Sequence, residues 1–205
     1  MRTKKVLFFI LCIGVCILGC MPIFNPLAPE YILSSNDSFP EGVTFDPIDR
    51  AFYAGSLEGG TITRVDSNGD ESVFFALDTE VSFTGMKVDH CTRRLWVCTT
   101  FSNPEIPVGE EGFRFGEIWI FDLKSKQKSF EYSLSEITSN ARCNDLIIDQ
   151  EGCGYIPDSQ KPNIYRIDPQ EDTGILFASD PLLDPEFTLP DAPRFFVPGS
   201  NGVVI

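Results

Sequence analysis

A single histidine in 205 residues leaves almost nothing from which to build a zinc site or a Cys/His nucleophile pair. No Cys-x-x-Cys spacing supplies a substitute. Positive charge is also scarce. Lys and Arg number 16 against 30 Asp and Glu, a net charge of −14, and no basic run could track a phosphate backbone, so nucleic acid is excluded as a partner. Gly-x-x-x-x-Gly-Lys, Gly-x-Ser-x-Gly and His-Glu-x-x-His are all missing, which removes nucleotide hydrolysis, serine-esterase and zincin chemistry. Long stretches of Ala, Leu, Glu and Lys are few, and helices have little to form from.

What is present points to strands and turns. Phe 18, Gly 16 and Pro 15, with 42% hydrophobic and 22% charged residues, describe a globular all-β chain of one domain, at most two. The N-terminus stands apart. Arg2, Lys4 and Lys5 precede an apolar run over 6–18 and then Gly19-Cys20, the order of an export signal. Thirteen apolar positions are short against the ~20 of a membrane span. Ile17-Leu18-Gly19-Cys20 resembles a bacterial lipobox. Residues 1–20 are therefore read as a signal peptide, with lipidation at Cys20, simple secretion and a single-pass anchor all left open. The expected location is exported, as a membrane-anchored lipoprotein or a secreted or periplasmic protein that meets the membrane only through this segment. Cys12, Cys16 and Cys20 leave with it. Cys91, Cys98, Cys143 and Cys153 remain, and they allow three pairings as structural bridges or a set of buried thiols.

A Pro-rich linker over 21–38 leads into a repeat. Gly42-Val43-Thr44-Phe45-Asp46, Gly85-Met86-Lys87-Val88-Asp89 and Asp145-Leu146-Ile147-Ile148-Asp149 each run into a polar turn and a second strand. Asp46, Asp89 and Asp149 are read as turn formers. A third strand follows in each unit at 61–66, 117–122 and 163–168, and a fourth at 72–75, 129–132 and 174–177. An insertion over 103–116, rich in Pro, Gly and Glu, lengthens the second unit. Four strands at a period of roughly 40 to 50 residues define β-propeller blades. Trp96 and Trp119 fall at alternating positions that suit packing between blades. Gly199-Ser200-Asn201-Gly202-Val203-Val204-Ile205 reads as the opening of a fourth unit.

Phe39-Pro40-Glu41-Gly42, Gly85-Met86-Lys87-Val88-Asp89 and Asn144-Asp145 leading to Tyr155-Ile156-Pro157-Asp158-Ser159 resemble the SMP-30/gluconolactonase/LRE-like family of six-bladed β-propellers. The resemblance covers residues 39–205. Six blades of this period need about 270 residues, so the expectation is three complete blades plus the start of a fourth, a fragment whose open edges would self-associate.

Residues in the same place of successive blades converge at one mouth of a propeller channel. Glu41, Asn144 and Asn201 each precede the first strand of their unit and are candidates to meet there. One carboxylate with amide oxygens suits a hard cation, although Asn is also a common turn residue and Glu41 reads equally as a solvated loop acid. The family resemblance implies the same three residues as ligands of a divalent cation, usually Ca²⁺, with a later Asp completing the set. It further implies a calcium-dependent hydrolase acting on a small ester, lactone or phosphotriester. Asp145 could lie near the ion but reads more readily as a structural hydrogen-bond acceptor at a strand start, Asp158 reads as a blade stabiliser, and His90 lies at the far end of its strand. The rival readings are a non-enzymatic propeller that binds a ligand or protein, using the acidic insertion as a contact loop, and a nonfunctional truncated remnant.

Overall fold

The computed structural model describes residues 27, 30–34, 39–77, 81–102 and 114–183. The signal segment over 1–20, most of the linker, Asn201 and the fourth unit lie outside the described residues. The two short 3-10 turns at Leu134–Glu136 and Pro181–Leu183 are the helical elements among them.

Turn chemistry sets the strand lengths. Asp46, Asp89 and Asp149 each turn a carboxylate oxygen onto backbone N–H groups just downstream, those of Ile48, of Cys91 and Thr92, and of Glu151 and Cys153. Asp66, Asp122 and Asp168 do the same at the next hairpin. A left-handed residue closes each of these six turns: Arg50, Arg93, Lys126 and Asp172 have positive φ, as do Gly69 and Gly152. This is the side-chain-to-backbone closure that favours Asp in turns.

Twelve strands result, in three antiparallel sheets of four. Blade 1 holds β1 (Pro40–Asp46), β2 (Ala51–Ser56), β3 (Thr61–Val65) and β4 (Glu71–Ala76). Blade 2 holds β5 (Val81–Asp89), β6 (Arg94–Ser102), β7 (Arg114–Asp122) and β8 (Lys128–Ser133). Blade 3 holds β9 (Ile147–Ile148), β10 (Gly154–Pro157), β11 (Asn163–Asp168) and β12 (Thr173–Ser179). The strands fall at the twelve places expected from the sequence and differ at their ends: β5 already starts at Val81 and β6 runs on to Ser102. β7 begins at Arg114, inside the expected insertion, because residues 114–117 pair with 99–102 and extend the hairpin. β9 keeps only two ladder residues; the segment before it touches its own blade at the isolated Cys143–Asp158 bridge and also bonds to blade 2, where Ala141 and Asn144 carbonyls accept the Gly116 and Gly85 N–H groups.

The blades stack face to face through two apolar layers. Tyr53, Ile62 and Phe74 of blade 1 meet Leu95, Val97, Trp119 and Phe121 of blade 2. Trp96, Ile118 and Ile120 on the opposite face of blade 2 meet Leu146, Ile156, Tyr165 and Ile167 of blade 3. Both tryptophans are buried in these layers, and full burial of such side chains is worth about 1.5–3 kcal/mol each. Gly154 makes room for Trp96, because a Cβ there would lie 2.5 Å from the indole. A polar clasp joins blades 1 and 2: Arg93 reaches back to Asp46 at 2.7 Å and to Asp49 at 2.8 Å. Asp46 is fully buried. In blade 3, Tyr165 donates to Asp158 at 2.6 Å and Asn163 donates to the Tyr165 hydroxyl, so Asp158 has the stabilising position expected of it. Part of the linker is also seated, with Tyr31 packed on Phe52 and donating to the Ser67 carbonyl.

Candidate metal centre

The first strands of the three blades run side by side, β1 next to β5 and β5 next to β9. Backbone contact holds them together. The Gly85 N–H donates to the Asn144 carbonyl at 2.7 Å, and a side chain at Gly42 or Gly85 would collide with the backbone of the following blade. In blades 1 and 2 the ladder slips at the same place of the repeat, between Pro40 and Val43 and between Phe83 and Met86. Bulges of this kind re-aim side chains and are frequent beside sites. Here they take Glu41 and Thr84 out of regular pairing at the two positions equivalent to Asn144.

The three strand starts enclose an open cavity of about 300 Å³, lined by Glu41, Gly42 and Val43 of blade 1, Gly85, Met86 and Lys87 of blade 2, and Asn144 and Asp145 of blade 3. The expected convergence of Glu41 and Asn144 is therefore present. Asn201 lies outside the described residues. Partial burial, and secondarily the Asp145 carboxylate nearby, pushes the Glu41 carboxyl above its usual 4.5. One Asp145 oxygen accepts the Leu146 N–H at 2.8 Å. Two acids and one amide make an all-oxygen donor set of the kind hard cations take. Among the described residues no group of three or more His, Cys, Asp and Glu side chains has the spacing to hold a metal ion. Lys87 stands on the same wall. Asp145, expected either near the ion or as a structural hydrogen-bond acceptor, lines the cavity and accepts the Leu146 N–H, and Lys87 is a lining residue that the sequence reading did not single out. Asp145 directly follows an expected ligand, and that adjacency was the available signal; Lys87 gave none. His90 is exposed and does not line the cavity.

Three adjoining four-stranded antiparallel blades with their first strands around a common cavity define a β-propeller fold. Solved structures agree. The major allergen Mala s 1 of Malassezia sympodialis matches with a TM-score of 0.58 at 16% identity, over 70% of this chain and 50% of that one. A catalytically inactive virginiamycin B lyase from Staphylococcus aureus, solved with quinupristin, matches with a TM-score of 0.53 at 16% identity, over 72% and 45%. A gluconolactonase from Xanthomonas campestris matches at 20% identity over 69% and 47%, with a TM-score of 0.47 that adds nothing to the fold argument. The chain spans about half the length of these structures. No protein-family model and no curated protein matches it. The chain has a β-propeller fold.

Proposed function

We propose that the cavity between Glu41 and Asn144 binds a divalent cation, Ca²⁺ in the first instance, and that the complete protein is a hydrolase of lactones or related small esters, phosphotriesters included. The observation that carries this reading is the convergence of Glu41, Asn144 and Asp145, far apart in sequence, on one concave site. The raised carboxyl of Glu41 supports it, because partial burial first, and the Asp145 charge second, disfavour the free carboxylate, and a bound cation offsets both. Glu41 and Asp145 would hold the ion with the Asn144 amide, and Asn201 is proposed to join them. When bound, such an ion polarises a carbonyl or phosphoryl oxygen. The residues' own part is to fix the ion and orient the substrate, with Lys87 placed to meet an anionic or developing negative oxygen. Export through residues 1–20 remains part of the proposal. Among the described residues no helix is long and apolar enough to cross a membrane.

A second reading, a propeller that captures a ligand without turning it over, is favoured by Lys87 on the wall. Titration of the full chain with Ca²⁺ or Tb³⁺, alongside hydrolysis of an aliphatic lactone, separates the two. Saturable binding that falls at least tenfold in Glu41→Gln, with Ca²⁺-dependent turnover abolished by the same change, is the expected result. Equal binding by both chains overturns the cation site, and cation binding without turnover leaves the capture reading in place.

A further inference from the structure

The four cysteines of the propeller body do not stand alike. Cys91 is exposed in the turn after β5. The Cys153 sulfur is engaged by Arg166 Nη2 at 2.8 Å and lies 3.5 Å from an Asp168 oxygen. Cys98 and Cys143 instead sit together in the layer between blades 2 and 3, with exposures of 0% and 2%. Cys143 Sγ lies 3.5 Å from the carbonyl of Thr99, the neighbour of Cys98, and 3.4 Å from that of Glu117. The Cys98 thiol contacts that of Cys143 and reaches the Asp145 carbonyl at 3.5 Å, directly behind the cavity.

We propose that Cys98 and Cys143 are a disulfide-forming pair that staples blade 2 to blade 3 beneath the cavity. Of the three pairings open to four cysteines, this one joins side chains already in contact on two blades. The bond forms as the chain folds, before the blades close over the two sulfurs. One thiolate attacks a small-molecule disulfide such as oxidised glutathione, forming a mixed disulfide and releasing one small thiol; the second thiolate attacks the protein sulfur of that mixed disulfide and displaces the other small thiol. The two thiols lose two electrons and two protons, and the small disulfide is reduced to two thiols. The staple closes a loop of about 45 residues, long enough for a substantial entropic effect on the unfolded chain. It also fixes the backbone on which Asn144 and Asp145 stand.

The test refolds the full chain from denaturant in oxidised and reduced glutathione, blocks free thiols by alkylation in denaturant, and maps peptides without reduction. A cross-linked peptide pair containing Cys98 and Cys143, with Cys91 and Cys153 alkylated, is expected from the oxidised sample. Dithiothreitol should lower Tm by roughly 10 °C, and this reducible difference should vanish in Cys143→Ala. Alkylation of both Cys98 and Cys143 after oxidising refolding overturns the proposal, as does a bond from either residue to any other cysteine. The peptide map is read on the unmutated chain and does not depend on the variant folding.

Discussion

Gly85→Ala tests the backbone contact on which both the blade stack and the cavity depend. A methyl at this position would lie 3.0 Å from the Asn144 carbonyl carbon, with that group's oxygen and the Asp145 Cα closer still. Carbon atoms settle at ~3.5–4.0 Å, so blades 2 and 3 must part by about 1 Å at their inner ends. The obstructing atoms are main chain and cannot rotate aside, which puts the overpacking cost near the upper end of the usual range, about 3 kcal/mol. Weakening the 2.7 Å bond from the Gly85 N–H to Asn144 adds about 1 kcal/mol. At roughly 2–4 °C per kcal/mol for a chain of this size, Tm should fall by about 8–16 °C. The assay is a thermal melt followed by circular dichroism, paired with Tb³⁺ titration. Because Asn144 moves with its backbone, cation affinity should fall as well, at temperatures where the variant is still folded. A melt within about 2 °C of the parent, with unchanged Tb³⁺ affinity, would refute the claim that this glycine sets the spacing of the strands.

Three further outcomes follow from the polar groups. Arg93→Met removes the cation from the buried Asp46 and should cost about 2 kcal/mol at neutral pH, less than a fully buried pair because Arg93 is partly exposed. Burial alone would raise the Asp46 carboxyl, but the bonds from Arg93 and the Ile48 N–H outweigh it and hold the group below its usual 3.8. Its contribution is complete above that value and lost as pH falls through the lower folded one, so urea denaturation should show the difference between parent and variant shrinking below about pH 4. Tyr165→Phe leaves a buried Asp158 oxygen without its 2.6 Å donor and should cost about 1–3 kcal/mol in the same measurement. For Glu41, whose carboxyl is raised above its usual 4.5, protons compete with the cation at higher pH than for an ordinary glutamate. Ca²⁺-induced stabilisation should be full near neutrality and disappear on acidification through that raised value, and Glu41→Gln should show none at either end.

The hairpins were legible because alternation, Asp-led turns and aromatic pairs recur at one spacing, and each is a local property. Asp46, Asp89 and Asp149 form the turns expected of them, and Trp96 and Trp119 pack between blades as their positions implied. The convergence of Glu41 and Asn144 was legible only through the repeat, which converts equal places in sequence into neighbours in space. What escaped were contacts that no period encodes. The Arg93 clasp joins a turn of one blade to a turn of the next. Tyr31 turns part of an apparent linker into a cover for blade 1. Lys87 reaches the cavity from a strand position occupied by Thr44 and Ile147 in the other blades, so the pattern offered no reason to expect charge there.

The inner strands touch through peptide groups, and this has a consequence for how the mouth of the cavity can vary. Where side chains separate two elements, every substitution changes the gap; here the gap is set by covalent dimensions that no mutation alters, provided Gly42 and Gly85 are kept. The residues just before them, Glu41 and Thr84, and their counterpart Asn144, can then be exchanged as interchangeable fittings on a frame of constant radius. New ligand preferences are reachable by changing those fittings one at a time, and a change in the frame would have to alter several blades at once.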